Sequence, residues 1–230
     1  MSRVLAIGDI HAPATRKGYM QFCIDMYEAW DCDKVVFIGD VIDWHAISFW
    51  AKNPACPGPS DEYKLAKKCV EKWYAAFPKA KVCIGNHDER PGRLAKSVGI
   101  PEYFIKGYKT MWETPGWTWD HKFVIDKVLY RHGKGCSGIH PAWNLVNKVH
   151  QSVVIGHCHT RAGVKATCNE NMRLFGLDTG CGIDERMMQF AYGHDNPVRA
   201  FLACGVVIDG VGYHEPMLCG KGEPYWDGDF

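Results

Sequence analysis

The sequence predicts an α/β protein whose strands deliver polar residues to one crevice. Five short apolar runs each end in a glycine beside Asp, Asn or His, and β-branched runs bounded by glycine favour strand over helix. Stretches of helical periodicity separate several of them. An open α/β sheet binds its ligands outside the carboxyl ends of its strands, so the five ends are placed to converge, with Asp40 in their midst. A length of 230 residues suits one domain, and 47% hydrophobic content suits a sizeable core.

The first run, Val4-Leu5-Ala6-Ile7, ends in Gly8-Asp9-Ile10-His11. Tyr19, Phe22, Cys23, Met26, Tyr27 and Trp30 then recur at helical spacing, a stripe for packing. The second run, Val35-Val36-Phe37-Ile38, ends in Gly39-Asp40-Val41-Ile42-Asp43-Trp44-His45. Residues 46–59 hold Pro54, Pro57, Gly58 and Pro59 and predict a loop, the kind of segment that carries function at strand ends. Ser60 reads as a helix N-cap, with Asp61 and Glu62 in the first turn. Leu65, Cys69, Trp73 and Phe77 mark the buried side of that helix, which stops before Pro78.

The third run, containing Val82-Cys83-Ile84, delivers Gly85-Asn86-His87-Asp88. Residues 107–121 hold Trp112, Trp117 and Trp119 around Pro115-Gly116, which predicts a hairpin. Its rings would pack, the favoured use, or stack on bases. A fourth strand over 123–130 ends at His132-Gly133, and Pro141 opens a helix carrying Trp143, Val146 and Val149. The fifth strand ends in Gly156-His157-Cys158-His159. Alternating runs such as 172–177 and 200–208 predict a β-meander over 162–215 that completes a second sheet. The tail from Gly220, rich in Gly, Pro and Asp, reads as loose.

Net charge is +1, so no general pull toward nucleic acid or an anionic membrane is expected. The eleven cysteines include no Cys-x-x-Cys pair, and Cys23, Cys69 and Cys83 fall on apolar faces. Reduced thiols in a cytoplasmic protein are the expectation. The chain shows neither a charged-then-apolar leader nor a run of 18 apolar residues, so neither secretion nor a membrane span is predicted.

Asp, Asn and His at the five strand ends combine neutral imidazole with hard oxygen, a mixture that suits Mn, Fe or Zn. Asp40, lying between two groups of donors, suits a bridge between two ions. In His157-Cys158-His159 simple alternation would point the two rings apart, so the chain must bend there, and Gly156 is expected to permit the bend.

This ordered set of motifs resembles the calcineurin-like metallophosphoesterase superfamily, in its phosphodiesterase and repair-nuclease branch. The resemblance implies a four-layer αββα sandwich of two mixed β-sheets flanked by helices, as a single domain over residues 1–230. It implies that Asp9, His11 and His159 hold one metal ion, that Asn86, His132 and His157 hold another, and that Asp40 bridges them. It also implies that His87 acts as general acid and that Asp43 orients it. Two divalent ions are expected, manganese first, with iron, zinc, nickel or magnesium as alternatives. Such a pair clamps a phosphoryl group and lowers the pKa of a shared water.

Asp43-Trp44-His45 lacks the Arg-Gly that follows this Asp in Ser/Thr protein phosphatases, which weakens that reading. The large cap domain of the repair nucleases has no room here. The expected function is a dinuclear-metal phosphodiesterase, with DNA or RNA among its candidate substrates and no membrane partner. The alternative is a phosphomonoesterase or nucleotide pyrophosphohydrolase, to which Asp178-Thr179-Gly180 points weakly. A non-catalytic scaffold is least favoured, since no expected ligand is missing. Residues 44–60 and 107–121 would wall the site. Arg90, Arg93 and Lys134 would meet phosphate or face solvent. His45 and His140 lie near motifs incidentally, and His121, His150, His194 and His214 receive no role.

Overall fold

Strands β1 (Arg3–Ile7), β2 (Lys34–Phe37), β3 (Ala80–Cys83) and β4 (Trp117–Asp120) lie side by side and parallel. The antiparallel pair β10 (Ala203–Ile208) and β11 (Val211–Pro216) extends this sheet from the free edge of β1. A second sheet has the order β5 (Lys122–Ile125), β6 (Val128–Arg131), β7 (Val153–Ile155), β9 (Arg173–Thr179), β8 (Ala162–Cys168). There β6, β7 and β9 are parallel, and β5 and β8 are antiparallel edges. The computed structural model describes residues 2–187, 190 and 197–219; the expectations for His194 and for the tail from Gly220 lie outside the described residues.

Alternation along the strands sorts side chains into layers, because successive residues point to opposite faces. Val4, Ala6, Val36 and Ile38 turn inward and meet Tyr130, Val154, Phe175 and Leu177 of the other sheet. Leu5, Ile7, Val35 and Phe37 turn outward, onto helices α1 (Tyr19–Ala29) and α2 (Pro59–Ala76). On the far side, Leu129, Val153 and Ile155 pack against Ala142, Leu145 and Val146 of α5 (Pro141–Val149). The result is an αββα sandwich of two mixed sheets. Short helices α3 (Arg90–Ser97) and α4 (Tyr108–Trp112) fill the crossover between β3 and β4. Among the described residues no helix is long and apolar enough to cross a membrane.

Several local expectations are corrected. Helix α2 begins at Pro59 with Gly58 as N-cap, so Ser60 caps nothing; proline is favoured at the first helical position because its missing N–H is not needed there. Its buried residues are Glu62, Ala66, Val70 and Trp73, and Leu65 is 43% exposed. Glu62 takes an inward position because its carboxylate accepts the amides of His45 (2.6 Å) and Ala46 (2.8 Å).

The single strand expected over 123–130 is the hairpin β5–β6, turning at Asp126 and Lys127 with φ of 48° and 67°. Two successive left-handed residues are the signature of a type I′ turn. Residues 107–121 form no hairpin: α4 is followed by β4, which pairs in parallel with β3. The meander is divided, with β8–β9 in the second sheet and β10–β11 in the first.

Candidate metal centre

The carboxyl ends of β1, β2 and β3 face those of β6 and β7, and the five loops interlock through the backbone. His11 N–H donates to the carbonyl of Asp40 (2.9 Å). His87 N–H donates to Asp40 Oδ1 (2.8 Å), and His157 N–H donates to Asp9 Oδ2 (2.8 Å). His11, Asp40 and His157 have φ of 43°, 45° and 71°. Left-handed backbone at a non-glycine residue carries roughly 1–3 kcal/mol of strain and tends to collect at functional sites. The bend in His157-Cys158-His159 therefore lies at His157 itself. Gly156 instead makes room for a carboxylate. A Cβ there would overlap Asp9 Oδ1, just as one at Gly85 would overlap Asp40 Oδ1.

Two groups of donors result. In the first, His159 Nε2 lies 3.0 Å from Asp9 Oδ2 and 3.1 Å from His11 Nε2. In the second, His132 Nε2 lies 3.0 Å from Asn86 Oδ1 and 3.1 Å from His157 Nδ1. Asp40 Oδ2 stands between them, 3.7 Å from His11 Nε2 and 3.2 Å from His132 Nε2. All seven expected ligands are thus brought together.

This donor set fits a pair of cations. His11 Nδ1 is held by Asp43 Oδ1 (2.8 Å) and His132 Nδ1 by the carbonyl of Ile38 (3.0 Å). With those outer nitrogens protonated, the neutral rings turn bare Nε2 lone pairs inward. Asp9 turns Oδ2 toward His159 Nε2, while its Oδ1 is buried without a hydrogen-bond partner.

Electrostatics state the same demand for positive charge. Burial would raise the Asp40 carboxyl, but His132 and His87 outweigh it and hold the group well below the usual range. Burial would lower His132, but Asp40 and Asp9 raise it to about 10. A divalent ion satisfies those carboxylates in the proton's place. His11 is lowered by burial and by His87, and His157 by burial and by His132.

His87 stands beside both groups, 17% exposed at its side chain, with Nε2 3.9 Å from Asp40 Oδ2. Asp40, His11 and His87 would also make a three-donor set. However, His87 Nε2 lies 3.1 Å from Arg90 Nη2, and a cation at that nitrogen disfavours a second one. Its Nδ1 is 2.7 Å from the carbonyl oxygen of Asp43 and 3.1 Å from Asp43 Oδ1. Burial lowers this imidazole, yet Asp40 and Asp43 together raise it above its ordinary value.

The remaining expectations divide. Arg90 reaches the site, where Nη1 donates to the carbonyls of Asp43 (2.7 Å) and Trp44 (3.1 Å). Arg93 lies over the ring of Phe49 at 5.0 Å, and Lys134 pairs with Glu89 at 2.9 Å. His45 Nε2 accepts the Asn53 amide (3.0 Å). Trp112 and Trp117 are buried, and Trp119 stacks on Tyr108 at 4.9 Å. Two of the three rings are thus buried and the third is half-buried against Tyr108, which favours packing over base stacking, and no residue of 107–121 lines the cleft beside His87. Asp178 accepts the Ala142 amide of α5 (3.2 Å).

Three contributors carried no role in the sequence reading. Asp88 is buried and accepts the amides of Gly85 (2.9 Å) and Ile42 (3.1 Å), joining the second and third loops. Trp50 and Phe190 line a cleft of about 480 Å³ that opens beside His87 and Asn86. Asp88 stood in the third motif without a role, and Trp50 falls in the loop expected to wall the site; Phe190 carried no signal.

A family model for calcineurin-like phosphoesterases matches residues 2–183. A search of curated proteins returned no match. Similar solved structures include vacuolar protein sorting 29 from Cryptosporidium parvum, at 12% identity and TM-score 0.43, covering 93% of this chain and 95% of that one. A metallophosphoesterase from Sphaerobacter thermophilus is 14% identical, with TM-score 0.47 and coverage of 94% and 88%. Pseudomonas putida nuclease MPE is 17% identical, with TM-score 0.39 and coverage of 92% and 86%. At such scores these likenesses carry no functional weight, and the assignment rests on the family match. This chain belongs to the calcineurin-like phosphoesterase family.

Proposed function

We propose that the chain is a metal-dependent phosphodiesterase that holds two divalent ions, manganese by preference. Asp9, His11 and His159 would hold one ion and Asn86, His132 and His157 the other, with Asp40 shared. The observation that carries the reading is the meeting of both donor groups at Asp40 Oδ2 with His87 alongside. When bound, such ions supply Lewis acidity to a phosphoryl oxygen and acidify a nearby water.

The chain's own residues supply orientation and the proton. His87, whose imidazole burial lowers but Asp40 and Asp43 raise above its ordinary value, is the group that protonates the leaving oxygen, from Nε2. Arg90 lies 3.1 Å from that nitrogen, so a phosphate that reaches His87 also meets the guanidinium. Asp43 holds His11 and His87 in place from behind.

A diester is favoured over a monoester for two reasons. Trp44-His45 stand where Ser/Thr protein phosphatases carry Arg-Gly, so this loop brings no arginine to the second charge of a dianion. The cleft beside His87 offers room for a second ester arm. Nucleic acid is among the diesters that fit. The cysteines form no disulfide among the described residues, which suits a reducing compartment such as the cytoplasm.

The test is kcat/KM for bis-nitrophenyl phosphate against nitrophenyl phosphate, in Mn, Mg, Zn and Ni, alongside nicking of supercoiled plasmid. Diester preference is expected. A tenfold monoester preference, about 1.4 kcal/mol of transition-state binding, would replace the reading with a phosphomonoesterase.

A further inference from the structure

Trp50 is 82% exposed, on a loop tied by hydrogen bonds. Buried Glu62 anchors the chain at His45 and Ala46. Ser48 Oγ accepts the Trp50 amide (3.1 Å), and His45 Nε2 accepts that of Asn53 (3.0 Å). The loop presents an exposed indole at the cleft that also contains His87. An indole face left in water adds nothing to the core, whereas a planar ring laid on it would stack.

Position decides which part of a substrate arrives there. A general acid works within hydrogen-bond reach of the oxygen it protonates, so the group attached to the leaving oxygen extends from His87 into this cleft. Its volume of about 480 Å³ falls in the range of roughly 300–1,000 Å³ that small-molecule pockets occupy. Aromatic Trp50 and Phe190, with His45, Asn86 and Arg90 as polar neighbours, match a flat heterocycle carrying a sugar.

We infer that Trp50 stacks on a nucleobase carried by the leaving arm of a phosphodiester, so that the cleft selects nucleotide diesters through the nucleoside next to the scissile bond. This inference rests on the phosphodiesterase reading above. Water supplies the oxygen that joins phosphorus, the P–O bond to the leaving arm breaks, and that arm's oxygen takes a proton from His87. Stacking on a ring face tolerates every base, so little base preference is expected.

The experiment uses the dinucleotide thymidylyl-thymidine and its two analogues that each lack one base, with wild type, Trp50→Ala and Trp50→Phe loaded with manganese. The products show which arm leaves as the free nucleoside. Removing the base from that arm is expected to lower kcat/KM about tenfold, within the roughly 5- to 150-fold that stacking on an aromatic side chain supports. Trp50→Ala should cost the intact dinucleotide a similar factor and the analogue lacking that base much less, while Trp50→Phe should restore most of the rate.

Equal hydrolysis of the three substrates, equal loss on all three with Trp50→Ala, or sensitivity confined to the other arm would overturn the inference. Hydrolysis of bis-nitrophenyl phosphate but of no dinucleotide would overturn it and leave the phosphodiesterase reading standing. No diester hydrolysis with any metal would remove both.

Discussion

Asp43 Oδ1 lies 2.8 Å from His11 Nδ1, a closer contact than the 3.1 Å it keeps to His87 Nδ1. The carboxylate expected to orient the general acid therefore also fixes the tautomer of a candidate metal ligand. A partner of this kind typically raises metal affinity by roughly 10–100-fold. Asp43→Ala is expected to lose about that much affinity on the His11 side, together with turnover, as read by metal titration under chelator competition. A purely His87-directed role would leave affinity unchanged.

His87→Ala is expected to keep its metals and lose turnover, most severely for diesters with an alkoxide leaving group. With a nitrophenolate leaving group the defect should shrink, because that oxygen departs without a proton. Equal losses on both would remove the acid role, and lost metal would make His87 a ligand.

In the chelated protein, Asp40 and Asp9 hold the His132 pKa at about 10, above the ordinary 6.5. A raised imidazole contributes stability that is fully present below pH 6.5 and is lost as pH rises through about 10. Chelated protein should thus lose Tm across that window. Loading with metal should remove the loss and release protons into an unbuffered solution. A flat Tm profile for the chelated protein would contradict this charge balance.

Gly156→Ala places a Cβ against Asp9 Oδ1. Forcing atoms into a packed site costs typically about 1–3 kcal/mol, and here the strain falls on a candidate ligand. The expected result is a folded protein with weakened binding of the ion held by Asp9, checked by circular dichroism and metal titration. Full metal affinity would show that the loop yields without moving Asp9.

The site was legible in the sequence because its chemistry sits at strand ends, where a glycine next to Asp, Asn or His leaves a local signature. Features set by tertiary contacts were not. Glu62 is buried because it binds the backbone at His45 and Ala46, and no periodicity rule places a carboxylate inward. The turn at Asp126-Lys127 lacks the glycine that usually announces two left-handed residues. Tryptophan spacing alone could not separate Trp112 and Trp117, which pack in the core, from Trp50, which stands in solvent. The bend of the last motif was expected from Gly156, although His157 itself takes the left-handed conformation.

The central claim is that two ions share Asp40, whose Oδ2 stands between His11 Nε2 and His132 Nε2. Elemental analysis of fully active protein, set beside Asp40→Ala, tests it most directly. Two ions per chain in the wild type, with both sites weakened and activity nearly abolished by the single substitution, is the predicted result. One ion at most in fully active protein, or an Asp40→Ala variant that keeps both, would contradict it.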